Sequence, residues 1–302
     1  MSPFPKLRGL VAATFTPMTE AGSLNLAAIE KQAAHLLNHE ITAAFICGST
    51  GEGCSLSMDE RRQMILRWSE VIQGTPLKLI VQVGHNALPE AQALAAEAQR
   101  CGAHAISALA PNYFKPATVA DLVDTCAAVA SAAPALPFYF YDIPSMTGVH
   151  LPMREFLELA AQRIPTLAGL KFTNADHASL QQCLACSRGA FDILYGNDEC
   201  LLSAWVLGVR GAVGSTYNLI APVFHRLLAA FERADFAAAQ AEQLKAVEFA
   251  RLCSRFGYLP AAKAAMRFVG VDCGPVRLPL RPLTPAQAAE LRQQLDAAGL
   301  WK

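Results

Sequence analysis

Eight short apolar runs, each followed by a helical pattern, predict an α/β fold for this chain: a (β/α)8 TIM barrel with a C-terminal extension of about three helices. Three observations carry that expectation. The runs are rich in β-branched and aromatic residues and recur about every 25–35 residues, the spacing of a strand, a crossover helix and two turns. The chain has 302 residues, 53% hydrophobic and 17% charged, enough to close one large barrel around one core. The runs also end in polar, glycine-rich stretches, as strands do where they open onto the mouth of such a barrel.

The elements follow in order. The first strand is Gly9–Thr16, and a helix with Asn25 as its N-cap runs to Asn38. The second strand is Ala43–Cys47. Its helix, Met58–Gln73, opens on Ser57 with Glu60 three residues later, a capping box. The third strand, Leu77–Val83, precedes a helix over Pro89–Arg100 with proline in its first turn. The fourth, Ala105–Leu109, precedes Val119–Ala132, and the fifth, Pro137–Tyr141, precedes Pro152–Gln162. The sixth, Leu167–Lys171, precedes Ala178–Cys186, and the seventh, Asp192–Tyr195, precedes Glu199–Leu207. The eighth, Gly211–Ser215, precedes Ala221–Arg233. The remainder reads as helices over Phe236–Arg255, Leu259–Val269 and Thr284–Ala298, with a proline-rich link, Gly274–Pro285, between the last two. The expected organisation is a barrel over 1–233 carrying the site and a helical appendage over 234–302.

Composition excludes several classes of function. Lys+Arg and Asp+Glu both count 25, so the net charge of zero offers nothing to nucleic acid or to an anionic membrane. There is no long uncharged apolar span, and Met1–Lys6 begins no signal-peptide core, so a cytosolic location is expected. The nine cysteines are scattered, and Cys183 and Cys186 form a lone C-x-x-C with no second pair. His35 and His39 have the spacing of a two-histidine metal face. No third ligand is evident, so they read as helix-surface residues and no metal is expected.

The residues ending the strands point to the chemistry. Lys171 closes the apolar sixth run, where a buried ammonium costs several kcal/mol unless it is paired or deprotonated. A deprotonated lysine is a nucleophile that forms a Schiff base with a ketone; a structural lysine paired with a carboxylate is the equally open alternative. In Gly48-Ser49-Thr50-Gly51-Glu52-Gly53, close backbone approach and two hydroxyls would suit a carboxylate. A glycine turn in which Ser49 or Thr50 caps the next helix accounts for the same residues. Tyr141 ends the strand beside that of Lys171, and its phenol could move a proton near an iminium; filling the barrel, as Tyr139 does, is the alternative. Asp198 and Glu199 could pair with Lys171, bind a polyhydroxylated substrate or, for Glu199, favour a helix dipole.

The run Gly48–Glu52, the run Tyr141-x-Ile-Pro-x-x-Thr-Gly, Gly169-Leu170-Lys171 and Gly211–Asn218 together resemble the dihydrodipicolinate synthase/N-acetylneuraminate lyase family of Schiff-base aldolases, in order and spacing and over nearly the whole chain. Leu10–Thr14, Gly51–Ser57, Ala132–Tyr141 and Gly211–Asn218 are most similar to the lyase branch, in its animal-type form. The synthase branch usually carries an arginine after the tyrosine strand; here Ile143–Gly148 has none. Asp142 departs from the asparagine or histidine usual in relatives.

The resemblance implies the reversible cleavage of N-acetylneuraminate to N-acetylmannosamine and pyruvate, with no cofactor beyond a covalent Schiff base on Lys171. It implies that Ser49 and Thr50 hold the substrate carboxylate and that Tyr141 moves the proton. Thr173, Gly196, Asp198, Glu199 and Ser215 would line the sugar end. Tyr113 would reach a neighbouring subunit's site within a homotetramer. An aldolase for another 2-keto-3-deoxy sugar acid, a dihydrodipicolinate synthase and a non-catalytic sugar-acid sensor are the competing readings.

Overall fold

Eight parallel strands close into a barrel in sequence order, with the last paired to the first. The structure, a computed structural model, describes residues 4–300; Met1–Pro3 of the stretch read for a leader lie outside them. The strands are β1 (Gly9–Ala13), β2 (Ala43–Ile46), β3 (Lys78–Gln82), β4 (Ala105–Leu109), β5 (Phe138–Asp142), β6 (Leu167–Phe172), β7 (Asp192–Tyr195) and β8 (Gly211–Gly214). The crossover helices are α1 (Ala28–Asn38), α2 (Met58–Ile72), α3 (Leu88–Arg100), α4 (Val119–Ser131), the single turn α5 (Pro144–Thr147), α6 (Met153–Arg163), α7 (His177–Ala185), α8 (Leu201–Val206) and α9 (Tyr217–Glu232). The extension forms α10 (Phe236–Ser254), α11 (Tyr258–Ala265) and α12 (Pro285–Ala297).

Alternation along the strands builds two cores. Val11, Ala13, Ala43, Phe45, Ile80, Ala105, Tyr139, Tyr141, Leu194 and Val213 fill the barrel. Leu10, Ala44, Ile46, Leu79, Ile106, Phe140, Leu170, Phe172 and Ile193 face outward into the layer of helices. Those helices bury one stripe each; in α1 it is Ile29, Gln32, Ala33 and Leu36, the spacing of one helical face. Tyr139 is the filling aromatic expected of it. Its hydroxyl donates to Asp192 Oδ2 at 2.9 Å, and the Leu7 N–H donates to the same oxygen at 2.8 Å, closing the barrel floor.

One irregularity sets the register of the site. Phe138 pairs with Leu167 but Tyr139 pairs with Gly169, so the ladder skips Ala168. Beyond that bulge Tyr141 stands opposite Lys171, with both side chains turned inward.

Several boundaries differ from expectation. β1 stops at Ala13, because the chain then bends so that the Thr16 hydroxyl reaches Gly51 O at 2.6 Å. Asn25 caps nothing with its side chain; α1 starts at Ala28 with Ala27 at its N-cap. The helix expected from Glu199 begins as a 3-10 turn, Asp198–Cys200. α9 starts four residues early, at Tyr217, and tolerates Pro222 because Ile220 leaves helical geometry just before it. The capping box of Ser57 and Glu60 forms as expected, in both directions.

Candidate active site

Lys171 is 3% exposed and forms no ion pair with a carboxylate among the described residues. Its Nζ lies 3.9 Å from the centroid of the Tyr141 ring and 4.2 Å from that of Phe45. The two rings meet edge to face, 5.8 Å apart. Aromatic faces hold the group in place without a carboxylate or other hydrogen-bond acceptor that would engage its protons. Of the two readings of this lysine, the paired one therefore does not describe it. That role belongs to Lys263, whose Nζ lies 2.6 Å from Glu52 Oε1 in a fully buried pair.

The Ser49 hydroxyl is 3.4 Å from the Tyr141 hydroxyl, so the Gly48–Gly53 turn and the end of β5 meet over Lys171. Neither Ser49 nor Thr50 caps a helix: the short 3-10 turn after them has Glu52 at its N-cap with no side-chain bond, and α2 is capped by Ser57. The turn is tightly wound. Cys47 and Glu52 adopt left-handed backbone at φ +58° and +54°. A Cβ on Gly53 would lie 1.9 Å from Cys47 O, so only glycine fits there.

On the opposite side of the mouth, Thr173, Gly196, Asp198 and the loop after β8 come together. Asp198 is buried, and its Oδ2 accepts from the Thr216 N–H at 3.0 Å and the Thr216 hydroxyl at 2.6 Å. Burial pushes its carboxyl up to about 6, against the pull of the Thr216 donors. Asp198 forms no ion pair with Lys171. A Cβ on Gly196 would lie 1.9 Å from Thr173 Oγ1, and one on Gly214 would lie 1.8 Å from Asp198 Oδ1. The two glycines thus admit the two polar side chains. Thr173 Oγ1 is buried against Gly196 with no hydrogen-bond partner. Glu199 is half-buried in the first turn of the 3-10 segment. The Ser215 hydroxyl is 2.6 Å from that of Tyr258 on α11.

Tyr113 is not brought to this cluster within one chain. Its side chain is 79% exposed and stacks edge-on against Phe114, also exposed, at 5.1 Å. Asp142 is buried one residue past Tyr141, where its Oδ2 accepts from the Asn174 amide at 3.4 Å; burial pushes its carboxyl up to about 6. Met146, 68% exposed on α5, stands in the segment where an arginine would have marked the synthase branch.

His35 and His39 are half-buried rather than surface residues. His35 Nε2 lies 2.8 Å from Asn218 O, and His39 Nδ1 lies 2.8 Å from His35 O. Burial lowers the His35 pKa. Among the described residues no three His, Cys, Asp or Glu side chains converge as a metal site, and Cys183 and Cys186 are buried free thiols.

Sequence reasoning missed the groups that come from the extension: Tyr258 behind Ser215, Gln243, whose amide reaches Asp198 O at 3.1 Å, and Lys263 behind Glu52. Lys263 carried the same signal as Lys171, a lone lysine in an apolar stretch, Pro260–Met266. Phe45, inside the second strand, was not singled out, although its ring is one of the two that hold the amine.

The chain matches the model of the dihydrodipicolinate synthetase family over residues 6–298. It is 40% identical to the N-acetylneuraminate lyase of Gallus gallus over 301 residues, 98% of each chain. It is 41% identical to that of Homo sapiens over 298 residues, 96% of this chain and 93% of the relative. Among solved structures, the N-acetylneuraminate lyase (sialic acid aldolase) of Aliivibrio salmonicida superposes with a TM-score of 0.96 at 38% identity, covering 99% of both chains. That of Proteus mirabilis superposes with a TM-score of 0.95 at 37% identity, covering 98% of this chain and 100% of the other.

Proposed function

The chain belongs to the dihydrodipicolinate synthetase family, and within it we propose that it is an N-acetylneuraminate lyase, a class I aldolase that cleaves sialic acid reversibly to N-acetylmannosamine and pyruvate. The observation that carries the mechanism is the buried Lys171 amine, held between two aromatic rings with no carboxylate of its own. A lysine in that setting is a nucleophile waiting for a carbonyl.

The reaction follows from the arrangement. Lys171 attacks the C2 ketone of the open-chain sugar acid, water leaves, and a protonated imine forms. Ser49 and Thr50 hold the C1 carboxylate across the turn from it. The C4 hydroxyl loses its proton, the C3–C4 bond breaks, and its electron pair moves into the imine to give an enamine. N-Acetylmannosamine leaves as the aldehyde. Protonation at C3 and hydrolysis of the imine release pyruvate and free the lysine. The iminium is the electron sink, so the chemistry calls for no metal or diffusible cofactor. Tyr141, beside both Ser49 and Lys171, carries the proton between the C4 oxygen and the enamine carbon.

Thr173, Gly196, Asp198, Glu199 and Ser215 bind the hydroxyls of the sugar end. The unpartnered Thr173 hydroxyl and the close packing of Asp198 against Gly214 support that role. The absence of an arginine from Ile143–Gly148 favours this substrate over a second carboxylate. The exposed pair Tyr113 and Phe114 supports a homotetramer in which Tyr113 reaches the neighbouring subunit's site. A cytosolic setting suits nine cysteines that are all free.

Borohydride reduction in the presence of pyruvate tests the mechanism. The expected result is irreversible inactivation with the adduct on Lys171; an unlabelled Lys171 under saturating pyruvate contradicts the Schiff base. Tyr141→Phe is expected to lower kcat by about 100-fold or more with a much smaller change in KM, the scale of a lost acid–base group. Steady-state kinetics with unchanged kcat in that variant would remove Tyr141 from the proton path.

A further inference from the structure

Lys263 and Glu52 are 1% and 2% exposed, with Nζ 2.6 Å from Oε1, and join α11 to the Gly48–Gly53 turn. Burial pulls the Lys263 ammonium down, and the charge and hydrogen bond of Glu52 hold it up. A buried pair is poor value as a source of stability: apolar residues of similar volume often serve as well, whereas losing one partner is strongly destabilising. The position of this pair gives it another purpose. Glu52 has left-handed backbone, φ +54°, and its N–H donates to Ser49 O at 3.1 Å while the Gly53 N–H donates to Gly48 O at 3.0 Å. The turn that presents Ser49 and Thr50 is therefore closed at Glu52. The Glu52 side chain is gripped from outside, by Lys263 on one oxygen and by the Arg277 N–H at 2.8 Å on the other. The Arg277 guanidinium then fastens the same strap to Ser55 O at 3.0 Å, to Gly22 O at 2.7 Å and to Glu60.

We propose that Lys263 is a positioning residue for the carboxylate of the 2-oxo acid: acting through Glu52, it fixes the turn so that Ser49 and Thr50 meet that carboxylate. The inference rests on the reading of this turn as the carboxylate cradle. It assigns the C-terminal extension a part in binding pyruvate, exerted through Glu52. It also separates two effects of the same contact, since the turn controls how tightly pyruvate binds while Lys171 alone makes the covalent bond.

Borohydride trapping over a range of pyruvate concentrations, read as the mass of the adduct on Lys171, measures pyruvate binding without any sugar. Lys263→Met and Glu52→Gln are compared with Leu295→Ala, a substitution in the fully buried face of α12 outside the turn. Each variant's Tm is recorded alongside. Lys263→Met and Glu52→Gln are expected to raise the pyruvate concentration for half-labelling by about tenfold or more, with full labelling still reached at saturation. Leu295→Ala is expected to lower Tm without moving it. Should Lys263→Met fail to fold, Glu52→Gln, which keeps an acceptor for the Arg277 N–H, decides by the same comparison. Half-labelling unmoved in the folded variants despite a lowered Tm would reduce the pair to a structural contact and overturn the proposal. A wild-type chain that is never labelled would remove the cradle reading itself, and the proposal with it.

Discussion

Asp142 holds a carboxylate in a buried position beside Tyr141, with one long hydrogen bond to support it. Burial raises its pKa from 3.8 to about 6. Between those values the folded chain keeps a proton that the unfolded chain has released, so stability falls as pH rises through that window and the ionised group remains a cost at neutral pH. The cost is roughly 3 kcal/mol at about 1.4 kcal/mol per unit, an upper figure given solvent relaxation. Asp142→Asn is therefore expected to raise Tm at neutral pH and to flatten the fall in stability between about pH 4 and 6. Asp198, raised to about 6 by burial as well, keeps part of that slope in the variant. Thermal melts across pH check this; an unchanged or lower Tm at neutral pH would contradict it. At this scale the sequence exposed Lys171 clearly, because a charge inside an apolar run is physically anomalous. It left open which kind of lysine Lys171 is, since pairing depends on a residue distant in sequence. For Lys263 that residue is 211 positions away.

The strands and the loops that follow them carry the proposed site, and most of its candidate residues were named from those stretches. Polar, glycine-rich stretches after apolar runs mark strand ends, and the barrel gathers those ends at one mouth. The bulge at Ala168 was not legible, because a ladder that skips one residue leaves no periodic trace in so short a strand. Nor was the glycine at 214 readable as more than a small strand residue. It is the space that admits Asp198, since a Cβ there would overlap the carboxylate. Gly214→Ala is expected to displace Asp198 and weaken binding of the sugar. We expect kcat/KM for N-acetylneuraminate to fall by at least about tenfold, roughly 1.4 kcal/mol. Pyruvate trapping on Lys171 should persist. Loss of trapping together with turnover would show that the substitution disrupts the barrel rather than the sugar end.

The extension closes over the barrel and touches the site at both ends: Lys263 behind the Glu52 turn, and Tyr258 behind Ser215. Gln243 adds a brace, donating to Asp198 O and accepting from the Leu202 N–H at 2.8 Å. None of these contacts follows from local pattern, because each joins residues more than 40 apart whose pairing only the closed fold decides. Tyr258→Phe removes the hydroxyl that holds Ser215. In the condensation direction it is expected to raise KM for N-acetylmannosamine several-fold and to leave KM for pyruvate near that of the parent enzyme. An equal rise in both would assign Tyr258 to the stability of the whole barrel. The proposed activity rests on one reaction at one lysine. The most direct measurement is pyruvate release from N-acetylneuraminate by the purified chain and by Lys171→Ala, with 2-keto-3-deoxygluconate as the competing substrate. Release from the sialic acid by the parent chain, and none from the folded variant, is the predicted result. Release that survives Lys171→Ala, or that occurs only from the shorter sugar acid, would contradict it.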